Sequence, residues 1–283
     1  MTGIIDINYV HTVIKKRRSD IHKGDCGRVL VVAGSKGMAG AAVLCARGAL
    51  RSGAGLVTAA ISEELFTTLH TAQPEAMCMP RRLSAISETD MARFDAVAVG
   101  PGMGEAEENE RIVRYLLKSC KGTLVIDADG LNTVAGKKLL PEVRASEADI
   151  IVTPHMGEAA RLLETTTERI CAREREETAR LLAEVTGGIA VLKGAGTLVA
   201  SGSRTYMNTT GNPGMATGGA GDVLTGLIAG LAAQGLAAED AAKAGVFIHG
   251  MAGDIAAEKL SEYGMLAGDI AEAIPSAYRE ILK

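Results

Sequence analysis

Between Asn208 and Gly230 the chain reads NTTGNPGMATGGAGDVLTGLIAG, a loop with five glycines from Gly211 to Gly221 running into an apolar helix expected to begin at Asp222. Successive glycines let neighbouring N–H groups turn toward one point, and a helix N-terminus adds unpaired donors and partial positive charge. Gly218, Gly219, Ala220 and Gly221 thus read as an anion hole suited to a phosphoryl group. Asp222 stands beside it. A carboxylate there either caps the helix or accepts a proton from a substrate hydroxyl during phosphoryl transfer. Its helix-end position is expected to keep it ionised at neutral pH.

Five other stretches carry groups of the same kind. RVLVVAGSKGMAGAAVL has the spacing G34-x-x-G-x-x-G40 after a strand, which is neither a G-K-[ST] phosphate loop nor a G-x-G-x-x-G dinucleotide turn, although Gly40–Ala41 lets the backbone approach a ligand. VAVGPGMGE (Val97–Glu105) and TLVIDADGLN (Thr123–Asn132) each end a strand in a small-residue turn. Asp127 and Asp129 in the second either order magnesium and water near a polyphosphate or serve turn and cap geometry. DIIVTPHMGEAARLL places His155 at a strand's carboxyl end, on the side of the glycine loops, and Glu158 at a helix start, where it either favours the dipole or joins the site. In IAVLKGAGTLVAS, Lys193 ends a strand before Gly194, Ala195, Gly196 and Thr197; it either pairs with nucleotide phosphates or is a surface lysine beside a hairpin. His249, inside AAKAGVFIHGMAGDIAAE, reads as a packed helix histidine.

These groups need a scaffold that brings many strand ends to one edge. Short β-branched runs alternate with longer Ala/Leu-rich stretches of helical period, so the class is α/β, with a mostly parallel sheet covered on both faces. Strands are expected at Val29–Ala33, Leu56–Ile61, Ala96–Val99, Thr123–Asp127, Ile150–Thr153 and Ile189–Lys193, with a hairpin of Thr197–Ala200 and Thr205–Asn208. Most lack alternation and so are buried on both faces. Helices are expected over Ala41–Ser52, Glu63–Thr71, Glu107–Cys120, Gly157–Glu164, Glu168–Thr186, Asp222–Ala233, Ala238–Lys259 and Ala267–Leu282. With no linker or repeat, residues 1–283 read as one domain, opened by a helical arm over about residues 1–20.

Composition narrows the partners. A net charge of −4 offers no global field for a nucleic acid or an anionic membrane. The apolar VLTGLIAGLAAQGLAA stretch falls short of a span, and its Gly226 and Gly230 read as permitting close packing on a strand. The first residues lack the order of a secretory signal, and five widely spaced cysteines without C-x-x-C fit neither a disulfide framework nor a zinc site, so a cytoplasmic location is expected.

Taken in order, HKGDCGRVLVVAGS, GAAVLCARGALRSGAGLV, VGPGMG, VIDADGLN, TPHMGE, VLKGAGT and GNPGMATGGAGDVLTG resemble the ADP-dependent NAD(P)H-hydrate dehydratases of the ribokinase-like superfamily, from about residue 22 to the C-terminus. The resemblance implies a ribokinase-like three-layer sandwich that restores hydrated NADH or NADPH at the expense of ADP (or ATP), with Mg²⁺, releasing AMP and phosphate. It implies contacts of Ala41, Gly104, His155 and Asp222 with the hydrated nicotinamide nucleotide. Lys193 through Thr197 and Gly221 would meet the adenine nucleotide, and the assembly would be a homotetramer. Many relatives have a Tyr where this chain has Gly37-Met38. About 20 residues before the matched region cannot hold the epimerase domain of bifunctional relatives, so epimerisation is expected from a separate protein. The rival readings are a ribokinase-like kinase of a thiazole or pyrimidine alcohol, which the glycine loop and Asp222 would serve equally well, and a non-catalytic nucleotide sensor. His155 in TPHMGE disfavours the first and Asp222 beside the anion hole the second.

Overall fold

A computed structural model describes residues 2–104 and 106–283; Glu105, the last residue of the GPGMGE stretch, lies outside them. Ten strands form one sheet: β1 (Gly3–Ile5), β2 (Arg28–Val32), β3 (Leu56–Ile61), β4 (Met77–Pro80), β5 (Ala96–Val99), β6 (Thr123–Ile126), β7 (Asp149–Val152), β8 (Ile189–Leu192), β9 (Leu198–Ser201) and β10 (Arg204–Asn208). Their order is β1-β10-β9-β8-β7-β6-β5-β2-β3-β4. All neighbours are parallel except β8 with β9 and β9 with β10, the hairpin that the Lys193–Thr197 turn leads into.

The central strands are apolar on both sides because helices cover both faces. Val29 and Val31 of β2 point into one core with helices Ala39–Arg51, Ala220–Ala233, Ala238–Gly264 and Ala267–Ile281. Leu30 and Val32 point into the other, with Glu107–Ser119, Ala128–Gly136, Met156–Leu162 and Arg175–Thr186. The chain winds outward from β2 through β3 and β4, then returns to lay β5 on the other side of β2. The loops after β2 and β5 meet at the carboxyl edge, where Gly34 N–H donates to the Pro101 carbonyl at 2.8 Å, and that edge is the usual ligand position in open α/β sheets.

The three-layer α/β expectation holds, with local corrections. The first strand is not near residue 29: Gly3–Ile5 adds β1 in parallel to β10, and only Ile7–Val13 of the expected helical arm is helical, capped by Asp6. Three residues are too few to show a period. The arm is fastened by Lys243, a buried cation 4.4 Å from the ring centres of both Tyr9 and Tyr206. The DADGLN stretch is a helix, Ala128–Gly136, rather than a turn alone, and Glu168–Thr186 is two helices, Thr167–Cys171 and Arg175–Thr186. β4 was not foreseen.

Gly226 does permit a close approach, but to helix Ala39–Arg51 and not to a strand: a Cβ at Gly226 would lie 1.9 Å from the carbonyl oxygen of Cys45. Backbone cannot give way as a side-chain tip can. Gly226→Ala is expected to cost roughly 2–3 kcal/mol, the upper part of the overpacking range, read as a lowered midpoint in thermal unfolding; an unchanged midpoint would mean the two helices do not touch here.

Candidate active site

The carboxyl ends of β2, β5, β6, β7 and β8 deliver the Ser35–Ala41 turn, the Gly100–Gly104 turn, Asp127, His155 and Lys193 to one edge of the sheet. Asp127 occupies the N-cap position of Ala128–Gly136, yet its side chain makes no cap bond. It is buried instead, accepting hydrogen bonds from Lys193 Nζ at 2.6 Å and Thr225 Oγ1 at 2.7 Å. The simple turn-and-cap reading of Asp127 therefore fails. Thr225 was not foreseen as a site residue. The signal was its position three residues after Asp222, on the same helical face.

Lys193 is no surface lysine. Its Nζ also lies 3.8 Å from Glu158, itself buried. Desolvation works against the ammonium, but Asp127, Glu158 and Asp222 together outweigh it and hold its pKa above the usual lysine value. Glu158 accepts from the His155 backbone N–H at 2.8 Å, while His155 Nδ1 accepts from the N–H groups of Gly157 at 3.0 Å and Glu158 at 3.4 Å. His155 is thus the N-cap of Met156–Leu162 in a capping box with Glu158. H-x-x-E is the histidine version of the familiar S/T-x-x-E signal. His155 Nε2 lies 3.3 Å from Glu158 Oε1.

Asp222 is not a cap. Gly219, at φ +94°, is the N-cap of Ala220–Ala233, so Asp222 is the third helical residue and lies in the first turn. At that φ any other residue would be strained, so glycine lets the loop turn here. The first turn sits directly on the buried pair, because a Cβ at Gly221 would be 3.4 Å from Lys193 Nζ and 3.8 Å from Asp127 Oδ2. Among the described residues, the Asp222 carboxylate receives no hydrogen bond from the protein, and the N–H groups of Gly218, Gly219, Gly221 and Asp222 have no protein acceptor. Burial, then Asp127, push the Asp222 pKa up; Lys193 opposes them, Asp129 and Glu158 add to them, and the result is about 7. The expectation of a fully ionised Asp222 at neutral pH is corrected: the helix end does not offset desolvation beside three carboxylates.

A cavity of about 440 Å³ opens beside this cluster, lined by Lys193–Thr197, Ala220–Gly221 and the 208–216 loop. It joins most of the residues expected to meet a nucleotide. Gly218 and Gly219 do not line it, nor do Ala41, Gly104, His155 and Asp222. Its wall includes His249, read in sequence as a packed histidine: it is buried, has no partner for Nε2, and is pushed down to about 4 chiefly by burial, so it is neutral. The Cys45 thiol, raised by burial, Asp222 and Asp127, is not a nucleophile here.

The family model described as NAD(P)H-hydrate dehydratase matches residues 29–276. The chain belongs to the NAD(P)H-hydrate dehydratase family. It is 39% identical over 279 residues to the bifunctional NAD(P)H-hydrate repair enzyme of Moorella thermoacetica, covering 95% of this chain and 52% of that protein. It is 41% identical over 270 residues to the Coxiella burnetii enzyme of the same name, covering 95% and 54%. The chain thus spans about half the length of these curated relatives. Among solved structures, the ADP/ATP-dependent NAD(P)H-hydrate dehydratase of Bacillus subtilis, co-crystallised with ATP and Mg²⁺, superposes with a TM-score of 0.86 at 27% identity over 99% of both chains. A ribokinase from Thermotoga maritima, 13% identical with a TM-score of 0.57, shares the fold alone, covering 89% of this chain and 99% of its own. The ribokinase-like architecture expected of this dehydratase family member is therefore present.

The raised Asp222 has a sign-definite consequence. Its folded pKa lies above the ordinary carboxylate value, so its contribution to stability is complete below about pH 4 and is lost as pH rises through about 7. Asp222→Asn removes that loss. The variant is expected to melt above the wild type at pH 8 and level with it at pH 4; a wild type equally stable or more stable at pH 8 would mean the carboxylate is not strained.

Proposed function

We propose that this protein dehydrates hydrated NADH or NADPH back to the normal cofactor, using ADP or ATP, and releases phosphate with AMP when ADP is the donor. The observation that carries this reading is Asp222: a carboxylate with no protein partner, poised near neutrality, on a first helical turn whose free amides adjoin the cavity of Lys193–Thr197 and Gly221. A base is most effective when its pKa is near the working pH.

The steps follow from these groups. Lys193–Thr197 and Ala220–Gly221 hold the adenine nucleotide, with its terminal phosphoryl group at the Gly218–Gly221 amides. Ala41, Gly104 and His155 hold the hydrated ring. Asp222 takes the proton of the ring hydroxyl as its oxygen bonds to the terminal phosphorus and the bridging P–O bond breaks; the amides offset charge on the moving group. Hydroxide leaves poorly, phosphate readily. The ring nitrogen's lone pair then expels phosphate from the carbon, and loss of a proton from the next carbon restores the double bond. Lys193, held to Asp127, balances the charge around Asp222 and keeps two carboxylates from raising it further.

Mg²⁺ would screen the nucleotide's phosphates. No group of three or more His, Cys, Asp or Glu among the described residues forms a cage for it, and both Asp127 oxygens are engaged. A hard ion that keeps water and phosphate ligands fits this setting, with Asp127 and Glu158 reaching it through water. The five free cysteines suit the reducing cytoplasm, and no helix among the described residues is long and apolar enough to cross a membrane. Exposed Leu260, Tyr263 and Leu266 would pack between copies in a homotetramer.

Purified protein with hydrated NADH, ADP and Mg²⁺ is expected to regain the absorbance of reduced nicotinamide near 340 nm. Absence of recovery would overturn the reading. Turnover should fall as pH drops below about 7, following protonation of Asp222. Asp222→Asn should lose turnover while its nucleotide affinity, measured by calorimetry, stays; retained turnover would leave Asp222 a structural group.

A further inference from the structure

Gly104 is held on both sides of its peptide. Its N–H donates to Asp129 Oδ2 at 2.7 Å, and its carbonyl accepts from Asn109 Nδ2 at 2.7 Å. Asn109 Nδ2 also donates to the Met103 carbonyl at 3.2 Å. Gly104 therefore has no donor left for a ligand, and whatever leans on it meets its Cα edge. Recognition there is by shape, and the shape depends on where the turn is held.

The holding groups are costly for any other purpose. Asn109 is 2% exposed, in the first turn of Glu107–Ser119, and caps nothing; its Oδ1 accepts from Arg81, whose Nε is buried without a partner. A buried amide spent on two loop carbonyls is more than a helix start requires. Asp129 would favour the start of Ala128–Gly136 from any rotamer. Instead it bridges: Oδ1 accepts from Asn132 Nδ2 at 3.3 Å, and Asn132 Oδ1 accepts from Arg161 Nε at 2.9 Å. Arg161 lies in Met156–Leu162, the helix that His155 caps. One hydrogen-bonded chain thus joins the Gly104 turn to the helix bearing His155. On its other flank the same turn is tied to the loop leading to Ala41, where Gly34 N–H donates to the Pro101 carbonyl at 2.8 Å.

We propose that Asp129 and Asn109 are positioning residues that fix the Gly104 wall of the hydrated-nucleotide crevice against Ala41 and His155, so that they govern affinity for the hydrate and not for the adenine nucleotide. This rests on the function proposed above. Asp129→Ala cuts both bonds. Asp129→Asn keeps an acceptor for Gly104 N–H but turns its other end, now a donor, on the donor of Asn132, so it severs the chain alone.

The full-length protein is assayed for KM and kcat with hydrated NADH, for ADP affinity by calorimetry, and for its melting midpoint. Asp129→Ala and Asn109→Ala are expected to raise KM for the hydrate about tenfold, the loss of one well-made hydrogen bond's worth of placement, with ADP affinity within about twofold. Asp129→Asn should fall between them and the wild type. An unchanged KM in folded variants, or an equal loss of ADP affinity, overturns the inference. If the alanine variants do not fold, Asn132→Ala and Arg161→Ala cut the same chain from half-buried and exposed sites, and a KM unmoved by either has the same force. Failure of the wild type to turn over the hydrate removes the proposed function instead, and this inference with it.

Discussion

The site depends on one electrostatic constraint: Asp127 lies buried beneath the first turn of an apolar helix, and a buried charge needs a partner. Lys193 is that partner, at 2.6 Å, and Thr225 supplies the remaining donor at 2.7 Å. Removing either charge would strand the other in a poorly solvated place, a cost of about 3–5 kcal/mol for such pairs. The pair also spends the positive charge that would otherwise neutralise Asp222. What is left over is a second carboxylate that ionises only with difficulty. A carboxyl group that titrates near neutrality is thus produced by burial and arrangement, without any unusual residue.

The same pair connects parts of the chain far apart in sequence. Asp127 ends β6, Lys193 ends β8, Thr225 and Asp222 share a helix, and Glu158 reaches Lys193 from the helix after β7. Parallel strands make this convergence cheap, since every one of them presents its carboxyl end to the same edge. The glycine loop then has a narrow task. It brings free amides over a charge cluster whose position the sheet has already determined.

Much of this was legible in the residues. The central strands stood out because helices on both sides demand unbroken Val, Ile, Leu and Ala; the glycine loop, Asp222 and Lys193 stood out because their types are expensive where they lie. What escaped detection depended on partners distant in the chain. β1 gains its hydrogen bonds from β10, and β4 is an edge strand of four residues, so neither has a local period to read. Thr225, a hydroxyl in an otherwise apolar helix, has a reason only once Asp127 is placed to accept its hydrogen bond. His155 reads in the sequence as a side chain at a strand's carboxyl end facing the glycine loops, whereas the structure uses its ring lone pair to begin a helix. The pKa of Asp222 was misjudged because helix position is local and desolvation is not.

The short strand at Gly3–Ile5 has a temporal consequence. It pairs with Tyr206–Asn208, roughly two hundred residues downstream, a separation of the kind that slows folding. During synthesis Gly3–Ile5 leaves the ribosome well before Tyr206–Asn208 and stays without a mate until most of the sheet exists. The outer seam beside the β9–β10 hairpin is therefore closed late, and the growing chain carries an unclaimed strand across the intervening residues.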